Sequence, residues 1–368
     1  RPEMSTQTPG FSAWRVIDKQ PESAIITSFV LAPADGISRL DFRPGQFLTL
    51  RLTLANNSTL LRNYSFSACA AKPGQVRISV KREPAPLDQP QLPPGLGSNH
   101  LHDCVQTGDL LQVAGPSGTF VLDELSTRPV LLFSGGVGLT PMVSMLHSLS
   151  RDSSRAVYFV HACENGTVHA LRDEVLALAD RRPGINVHFC YRTPGADDRS
   201  RYHSEGLITR QTLQQLLPLD DYDVYLCGPR PFMQANWRLL RSLGVARERI
   251  HYEFFGPAAV LEEDEVSPLA APVSPPTAQR PEADTLSVCF MPSGTRVVWD
   301  ENCHSLLELA EQAGLEPAFN CRAGLCNTCQ VRLQEGTVEY LEEPLEAPQH
   351  GDILLCCTRP TSAITVQL

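Results

Sequence analysis

The chain has 368 residues, of which 42% are hydrophobic and 20% charged, and its formal net charge at pH 7 is −10. This composition is typical of a globular protein with two or three domains. No apolar run approaches the roughly 18 residues of a membrane span, and the excess of acid disfavours nucleic acid as a ligand. The twelve cysteines mostly stand singly, which favours reduced thiols and a cytoplasmic location over disulfides.

After a tail at residues 1–10, residues 11–125 have the pattern of antiparallel β-structure. Residues 47–52 and 76–80 contain alternating apolar runs, and prolines and glycines interrupt the chain at short intervals. Alternation with a period of two predicts strands that bury one face. We therefore predict an antiparallel barrel or sandwich.

The pattern changes in residues 126–257, where apolar strands alternate with helices. An apolar run at 129–133 ends in a glycine-rich turn, which precedes a predicted helix at 141–149. Further strands are predicted at 156–161, 186–191 and 223–226, and further helices at 169–178 and 231–243. Strands and helices that alternate in this way predict a parallel sheet with helices on both faces.

The turn after the first of these strands is rich in glycine. Its sequence is Ser134-Gly135-Gly136-Val137-Gly138-Leu139-Thr140-Pro141, and the last predicted strand of this region ends in Cys227-Gly228-Pro229. Glycines at such a turn let backbone N–H groups and a helix N-terminus approach a pyrophosphate. The turn lacks the third glycine of the G-x-G-x-x-G pattern, so a purely structural turn is the alternative.

Within the β-rich part, Arg62-Asn63-Tyr64-Ser65 carries the groups that a flavin site requires. Arginine pairs with phosphate, tyrosine offers a flat face to the flavin ring, and serine supplies a hydroxyl near a ring nitrogen. An exposed arginine beside a core tyrosine is the alternative interpretation.

Residues 258–284 are acidic and proline-rich and lack apolar periodicity, so we predict a linker there. It precedes a module at 285–368, with hairpin strands predicted at 286–290 and 296–299 and a helix at 305–313. Residues 258–368 hold 17 of the 41 acidic residues and 5 of the 31 basic ones. Such a charge suggests electrostatic docking, with a solvated acidic surface as the alternative.

In this module, Cys321, Cys326 and Cys329 have the Cys-x4-Cys-x2-Cys spacing of a plant-type [2Fe-2S] site. The fourth ligand is expected far downstream, where Cys356 and Cys357 are adjacent, and spacing does not choose between them. Zinc is the alternative metal, but paired Cys-x2-Cys knuckles are absent from the sequence. The loop therefore predicts one-electron chemistry.

The order of seven short motifs resembles that of the ferredoxin–NADP reductase family, and their sequences are closest to the reductase portion of flavohaemoglobins. The motifs lie at residues 44–47, 62–65, 95–103, 115–120, 135–141, 227–229 and 250–257. The C-terminal module resembles a plant-type ferredoxin, so the domain order resembles that of oxygenase reductases of the phthalate dioxygenase reductase type. Only ten residues precede Phe11, so no haem domain is expected before the flavin domain.

The resemblance implies a multidomain fold. Its parts are an antiparallel β-barrel flavin domain at 11–125, an α/β parallel-sheet nicotinamide domain at 126–257, and a β-grasp ferredoxin domain at 285–368. FAD is expected rather than FMN, because residues 95–103 resemble the FAD-binding members.

The resemblance also implies residue roles in hydride transfer. Ser65 would lie near flavin N5, the atom that accepts the hydride, and Cys227 would lie near the nicotinamide. Phe255 would cover the flavin ring until the nicotinamide displaces it. Glu253 would tune the flavin electrostatically, unless it is a surface carboxylate.

Further residues are expected to bind the cofactors. Arg62 would hold the flavin phosphates and Tyr64 would stack on the ring. The full predicted cofactor-binding set is Phe47, Arg62, Asn63, Tyr64, Ser65, Val80, Lys81, Gly95, Ser98, Gly135, Gly136, Val137, Gly138, Thr140, Pro141, Cys227, Gly228 and Pro229. The predicted cluster ligands are Cys321, Cys326, Cys329 and Cys356. Cys356 is preferred to Cys357 because residues 353–356 resemble the Ile-Leu-Ala-Cys of the family.

The nicotinamide type is predicted from the end of the second strand of the sheet. A 2′-phosphate would require cations there, whereas the sequence has His161, Glu164 and Asn165. The acidic residue favours NADH, and Arg192 is the cation that would favour NADPH instead.

Together these features predict an NADH-dependent oxidoreductase. Electrons would pass from NADH to FAD, then to the [2Fe-2S] cluster, and then to a separate acceptor protein such as an oxygenase component. One alternative is the reductase portion of a larger flavohaemoglobin-like or redox-stress enzyme. Another is a redox sensor or electron carrier that does not turn over.

Overall fold

The computed structural model describes residues 11–57, 59–68, 74–84, 95–255, 286–300, 303–315, 317, 329–341 and 348–368. The chain divides into two compact units, Arg1–Phe255 and Gly256–Leu368. The predicted tail at 1–10 and the predicted linker at 258–284 lie outside the described residues.

The first part of the N-terminal unit is a closed six-stranded antiparallel barrel. Its elements are β1 (Ser12–Pro21), β2 (Ile26–Pro33), β3 (Phe47–Thr53), β4 (Thr59–Ala68), β5 (Val76–Lys81), α1 (Leu96–Asp103) and β6 (Leu110–Ser117). The strand order is β1-β2-β5-β4-β3-β6, and β6 pairs back onto β1. Closure excludes a sandwich and leaves no free edge. Trp14, Phe29 and Phe66 are fully buried in its core.

The second part of this unit is a parallel sheet with helices on both faces, as the sequence predicts. Its elements are β7 (Val130–Gly135), α2 (Leu139–Asp152), β8 (Val157–Cys163), α3 (Arg172–Arg181), β9 (Ile185–Tyr191), β10 (Ser204–Glu205), α4 (Arg210–Leu216), β11 (Asp223–Gly228), α5 (Arg230–Ser242) and β12 (Ile250–Phe254). The strand order is β10-β9-β8-β7-β11-β12. Leu132 of β7 packs in the core that includes α2, whereas its neighbour Phe133 contacts Phe232 of α5.

Helix α3 begins later than the sequence predicts. The expected start was near His169, but Leu171 has a φ of 57° and the helix begins at Arg172. Residues Gly166–Val168 form a 3-10 turn instead, and the side chain of Asn165 caps it by accepting from Thr167 N at 3.0 Å. This local bond competes with the helix at its start.

The C-terminal unit contains a mixed five-stranded sheet, a two-stranded sheet and one helix among its described residues. Its elements are β13 (Ser287–Met291), β14 (Thr295–Val298), α6 (Leu306–Gln312), β15 (Gln330–Glu335), β16 (Val338–Tyr340), β17 (Asp352–Leu354), β18 (Thr358–Pro360) and β19 (Ile364–Gln367). The sheet orders are β14-β13-β19-β15-β17 and β16-β18. The predicted hairpin is confirmed, and Ser305 caps α6 by accepting from Glu308 N. This is the expected β-grasp fold.

None of the helices in the described ranges combines the length and the apolar character that crossing a membrane requires.

A buried histidine predicts loss of stability in acid. His161 is 1% exposed, its Nδ1 lies 2.9 Å from Ser134 Oγ, and burial lowers its pKa to about 4. The unfolded chain binds this proton near pH 6.5, so stability is intact above that pH and falls as the pH drops toward 4. We expect a loss of about 2 kcal/mol at pH 5 from this group.

Urea unfolding at pH 7.5 and pH 5.0, followed by circular dichroism, checks this prediction. The variant His161→Gln should lose about 2 kcal/mol less than the wild-type protein between the two pH values. Equal losses in both proteins would contradict it.

Candidate functional site

The predicted flavin motif lies on β4 and is held by pairing with β3. The register places Phe47 opposite Ser65 and Thr49 opposite Asn63. Thr49 Oγ1 donates to Asn63 Oδ1 at 2.8 Å, so the amide is fixed by the sheet. Tyr64 is half-buried and packs against the barrel core. Four consecutive predicted residues therefore stand on one rigid strand.

Ser65 offers an unused polar atom at this place. The residue is 5% exposed, and its Oγ has no hydrogen-bond partner among the described residues. A buried hydroxyl without a partner costs about 1–3 kcal/mol, which a bound polar group would recover. Burial also raises the pKa of Tyr64, so its phenol stays neutral at ordinary pH. A hydroxyl and a neutral aromatic face fit a flavin ring.

Arg62 lies beside the first turn of α1, which suits a phosphate site. A Cβ added at Gly97 would lie 2.8 Å from Arg62 Cγ, so glycine is what lets the arginine stem pass there. The N–H groups at the start of a helix and a guanidinium both attract anions. The sequence reasoning missed Gly97, although it lies inside the motif at residues 95–103.

Three other predicted flavin residues have structural duties that restrict how they can bind. Ser98 Oγ accepts from Glu83 N at 3.1 Å and donates to Gly95 O at 3.2 Å, so it fixes the start of α1. Val80 is fully buried in the barrel core, and Lys81 Nζ lies 3.2 Å from a Glu83 carboxylate oxygen. For Val80, a flavin contact would come from the backbone.

The glycine-rich turn joins β7 to α2, as the sequence predicts. A 3-10 turn over Gly136–Gly138 leads directly into the helix at Leu139. Gly136 has a φ of +55°, and an added Cβ would meet only Pro229 Cγ, at 3.9 Å. Its backbone thus has open space beside a helix N-terminus, which fits a dinucleotide.

The remaining glycines of this site are explained by close packing. A Cβ at Gly138 would lie 2.3 Å from the carbonyl oxygen of Cys227. A Cβ at Gly135 or Gly228 would come within 2.8 Å of the Phe232 ring. For these three positions the structural alternative is sufficient. Val137 lies in the 3-10 turn, whereas Thr140 and Pro141 are buried in the first turn of α2.

Cys227 and Glu253 are neighbours at the carboxyl ends of β11 and β12. The parallel register pairs them directly, and Cys227 is completely buried. Glu253 Oε2 is enclosed without a hydrogen-bond partner in the described part of the chain, and burial raises the pKa of this carboxyl to about 8. The interpretation of Glu253 as a surface carboxylate is therefore wrong.

The chemical character of this edge follows from those two groups. Burial, followed by the nearby Glu253 carboxyl, raises the pKa of the Cys227 thiol, so the thiol stays protonated at pH 7. Burial shifts the Glu253 carboxyl toward its neutral form. Phe255 follows two residues after Glu253 and is 39% exposed, so its ring is free to cover a planar ligand. A buried thiol and an enclosed carboxyl beside a partly exposed aromatic ring suit a nicotinamide that approaches a flavin.

Two of the predicted cluster ligands are described by the structure, and they lie together. Cys329 and Cys356 are 3% and 4% exposed, and Cys356 N lies 3.5 Å from Cys329 Sγ. Hydrogen bonds from N–H groups to ligand sulfurs are among the features that tune an iron–sulfur cluster. Cys357 is also buried, but its Sγ lies 3.9 Å from Leu354 O. Cys321 and Cys326 lie outside the described residues.

Glu164 follows directly after β8, at the place where we expect the protein to distinguish NADH from NADPH. Its Oε1 accepts a hydrogen bond from Thr193 Oγ1 at 2.6 Å, and Thr193 N donates to Glu164 O at 2.9 Å. Arg192 N bonds to Cys163 O, which places it in the same loop. Thr193 was missed by the sequence reasoning, because only the fold brings it to Glu164.

Family models match three consecutive parts of the chain. An oxidoreductase FAD-binding domain matches residues 13–122, an oxidoreductase NAD-binding domain matches 132–237, and a 2Fe-2S iron-sulfur cluster binding domain matches 290–361. FAD, NAD and a [2Fe-2S] cluster are therefore its cofactors, and the donor types of the described residues suit them.

Curated relatives match the N-terminal unit. The flavohemoprotein of Bordetella pertussis is 47% identical over 255 residues, which is 68% of this chain and 62% of that protein. The flavohemoprotein of Burkholderia sp. (strain TH2) is 43% identical over 264 residues, 71% of this chain and 64% of that protein. The chain thus spans a little under two thirds of the length of these relatives.

Solved structures match both the N-terminal unit and the whole chain. The flavohem-like FAD/NAD-binding domain of nitric oxide dioxygenase from Vibrio cholerae is 39% identical with a TM-score of 0.60, covering 67% of this chain and 99% of that one. Phthalate dioxygenase reductase is 23% identical with a TM-score of 0.63, covering 98% of both chains. The second likeness concerns the fold and the domain order.

Proposed function

We propose that this chain oxidises NADH and delivers single electrons to a separate acceptor protein. It belongs to the ferredoxin–NADP reductase family and carries a C-terminal ferredoxin domain. The family and the cofactors make it an electron-transfer oxidoreductase. The observation that carries the proposal is the succession of FAD, NAD and [2Fe-2S] domains in one chain. A compartment that keeps thiols reduced, such as the cytoplasm, suits its free cysteines.

The proposed work of the protein is positioning. When bound, FAD would supply two-electron uptake from NADH and one-electron release, which would connect NADH with a one-electron cluster. Arg62 and the start of α1 would hold its phosphates, while Tyr64 and Ser65 would hold its ring. Gly136 and α2 would hold the dinucleotide, with Cys227, Glu253 and Phe255 around the nicotinamide. Hydride transfer needs the reacting atoms to be held in position, about 3–3.5 Å apart, and needs no added acid or base.

The [2Fe-2S] cluster is the proposed exit for electrons. Its proposed ligands are Cys321, Cys326, Cys329 and Cys356. The fold likeness to phthalate dioxygenase reductase supports an oxygenase component as the acceptor. A strongly acidic module would favour an acceptor with a basic docking surface.

The second candidate is suggested by the flavohemoprotein relatives. Their similarity over 255 residues, 68% of this chain, supports a role as the reductase portion of a larger, flavohaemoglobin-like system. An assay of the purified holoenzyme with NADH and cytochrome c distinguishes the proposed enzyme from a sensor or passive carrier. Sustained cytochrome c reduction over many turnovers is expected. A single turnover that then stops would contradict the proposal.

The proposed preference for NADH gives a prediction at Glu164. Its carboxylate would accept a hydrogen bond from a ribose 2′-hydroxyl and repel a 2′-phosphate. We expect Glu164→Gln to lower the ratio of kcat/KM for NADH over that for NADPH by about tenfold, because about 1.4 kcal/mol of charge repulsion is removed. Steady-state kinetics with both dinucleotides measures the ratio.

Glu205→Gln is a matched control, because this exposed carboxylate lies on the edge strand β10. An unchanged ratio in Glu164→Gln, or an equal change in Glu205→Gln, would show that Glu164 does not read the 2′ position.

A further inference from the structure

A partly buried ion pair joins the barrel to the parallel-sheet domain. Arg77 of β5 donates from both terminal nitrogens to the Glu174 carboxylate, at 2.8 Å each. His147 Nε2 of α2 lies 2.6 Å from Glu174 Oε1. The side chains of Arg77 and Glu174 are only 17% and 26% exposed. Bidentate arginine–carboxylate pairs fix the relative orientation of the two side chains as well as their distance.

The same arginine is anchored on the barrel side. Its second terminal nitrogen also donates to Ser67 O at 2.7 Å, and its Nε donates to Ser67 Oγ at 3.1 Å. Ser67 Oγ in turn accepts from Ser79 Oγ at 2.8 Å. Arg77 thus has two acceptors on each side of the domain boundary, and its guanidinium has no freedom to swing.

The anchored elements are those that hold the two cofactors in the proposed function. Ser67 is on β4, two residues after Ser65 of the flavin motif. His147 is on α2, the helix that follows the dinucleotide turn. One side-chain network therefore connects the flavin strand with the dinucleotide helix.

We propose that Arg77 and Glu174 are positioning residues for hydride transfer, which set the orientation of the nicotinamide domain relative to the flavin domain. The inference rests on the proposed function. The two domains are also joined by apolar contacts. Ile26 and Phe120 come from the flavin domain and pack into the core of the parallel-sheet domain. Loss of the ion pair therefore shifts the domains without separating them. A misplacement of about 1 Å at the reacting atoms can cost about a hundredfold in rate.

The Glu174 carboxylate stays charged in assays near neutral pH. Burial acts to raise the pKa of Glu174, but the hydrogen bonds from His147 and Arg77 outweigh burial and lower it to about 2. Substitution, and not a change of pH, is therefore the way to break the network.

The test compares Glu174→Gln, Arg77→Lys and Arg77→Met in the full-length holoenzyme. Arg128→Met is the control, because Arg128 Nε donates to Asp221 at 2.8 Å with both residues in the parallel-sheet domain. Anaerobic stopped-flow mixing gives the rate of flavin reduction at saturating NADH and the dissociation constant of NADH. Hydrogen exchange of the FAD-free protein gives a readout independent of turnover.

We expect Arg77→Met to slow flavin reduction about ten- to a hundredfold, with a change of less than about threefold in the dissociation constant of NADH. Arg77→Lys, which keeps one charged donor, should lie between Arg77→Met and the wild type. Amides at the start of α3 and the end of β4 should exchange faster in Glu174→Gln. If Arg77→Met does not fold, the isosteric Glu174→Gln carries the same expectation.

Unchanged flavin reduction in variants of lowered thermal stability would overturn the proposal, since the pair would then serve the fold alone. Equal slowing in Arg128→Met would overturn it as well. Failure of the wild-type flavin to accept electrons from NADH would instead refute the proposed function, and the exchange data would still report on the domain contact.

Discussion

Replacing Cys356 with serine is expected to remove the [2Fe-2S] absorbance and to lower NADH-dependent cytochrome c reduction by about a hundredfold or more. The thiolate of a ligand cannot be spared in a four-cysteine site. Cys356 N lies 3.5 Å from Cys329 Sγ, so these two predicted ligands are neighbours in the fold. Flavin reduction by NADH should be unaffected, because it occurs in the other unit. Iron content, visible absorbance and stopped-flow flavin reduction measure these effects.

Cys357→Ser is the matched control, because the two cysteines are adjacent and equally buried. The Sγ of Cys357 lies 3.9 Å from Leu354 O, so its thiol is placed against the backbone of its own turn. This variant should keep its cluster. Loss of the cluster in Cys357→Ser together with its retention in Cys356→Ser would reverse the assignment.

Replacing Arg62 with alanine is expected to produce a protein that loses FAD during purification. A hydrogen bond from a charged group is worth about 1.5–3 kcal/mol, so the dissociation constant of FAD should rise about ten- to a hundredfold. Arg62→Lys should bind FAD with intermediate affinity, since lysine keeps the charge but not the planar fork. Titration of the FAD-free protein measures both constants.

Arg15→Ala serves as the control for this experiment. Arg15 is an exposed arginine of β1, a strand that does not pair with the flavin strand β4, and its Nη1 donates to Gly108 O at 2.7 Å. Its removal should leave the FAD affinity unchanged. An Arg62→Ala protein that retains FAD as tightly as the Arg15→Ala protein would mean that Arg62 does not hold the phosphates.

Most of the fold was predictable because its signals are local. Alternation at residues 47–52 predicts a strand, and the structure has β3 there; the apolar run at 129–133 predicts β7. The turn with Gly136 follows from its glycines and the helix after it. In each case a few adjacent residues determine the element, so periodicity is sufficient evidence.

Other features depend on contacts between distant parts of the chain. Arg77 and Glu174 are 97 positions apart and carry no motif, so no local pattern announces their ion pair. Glu253 looks like a surface residue in the sequence, and only its pairing beside Cys227 encloses its carboxyl. The packing of Gly138 against the Cys227 carbonyl is likewise a property of two strands that meet. Tertiary packing decides such cases, and propensity does not.

The flavin site lies between these two extremes. Tyr64 and Ser65 could be singled out from their tetrapeptide. That Ser65 Oγ is buried without a hydrogen-bond partner among the described residues is seen only in the folded barrel. The role of Gly97 in making room for Arg62 also required the structure. The sequence could therefore suggest which residues bind the flavin, whereas the reason they suit it came from the geometry.

Anaerobic stopped-flow mixing of the holoenzyme with NADH tests the central claim most directly. The proposed order of electron flow predicts that flavin absorbance decreases first and that cluster absorbance decreases afterwards, at a rate independent of NADH concentration once NADH is saturating. In Cys356→Ser, the first phase should persist and the second should vanish. Flavin reduction by NADH with no subsequent reduction of an intact cluster would contradict the account.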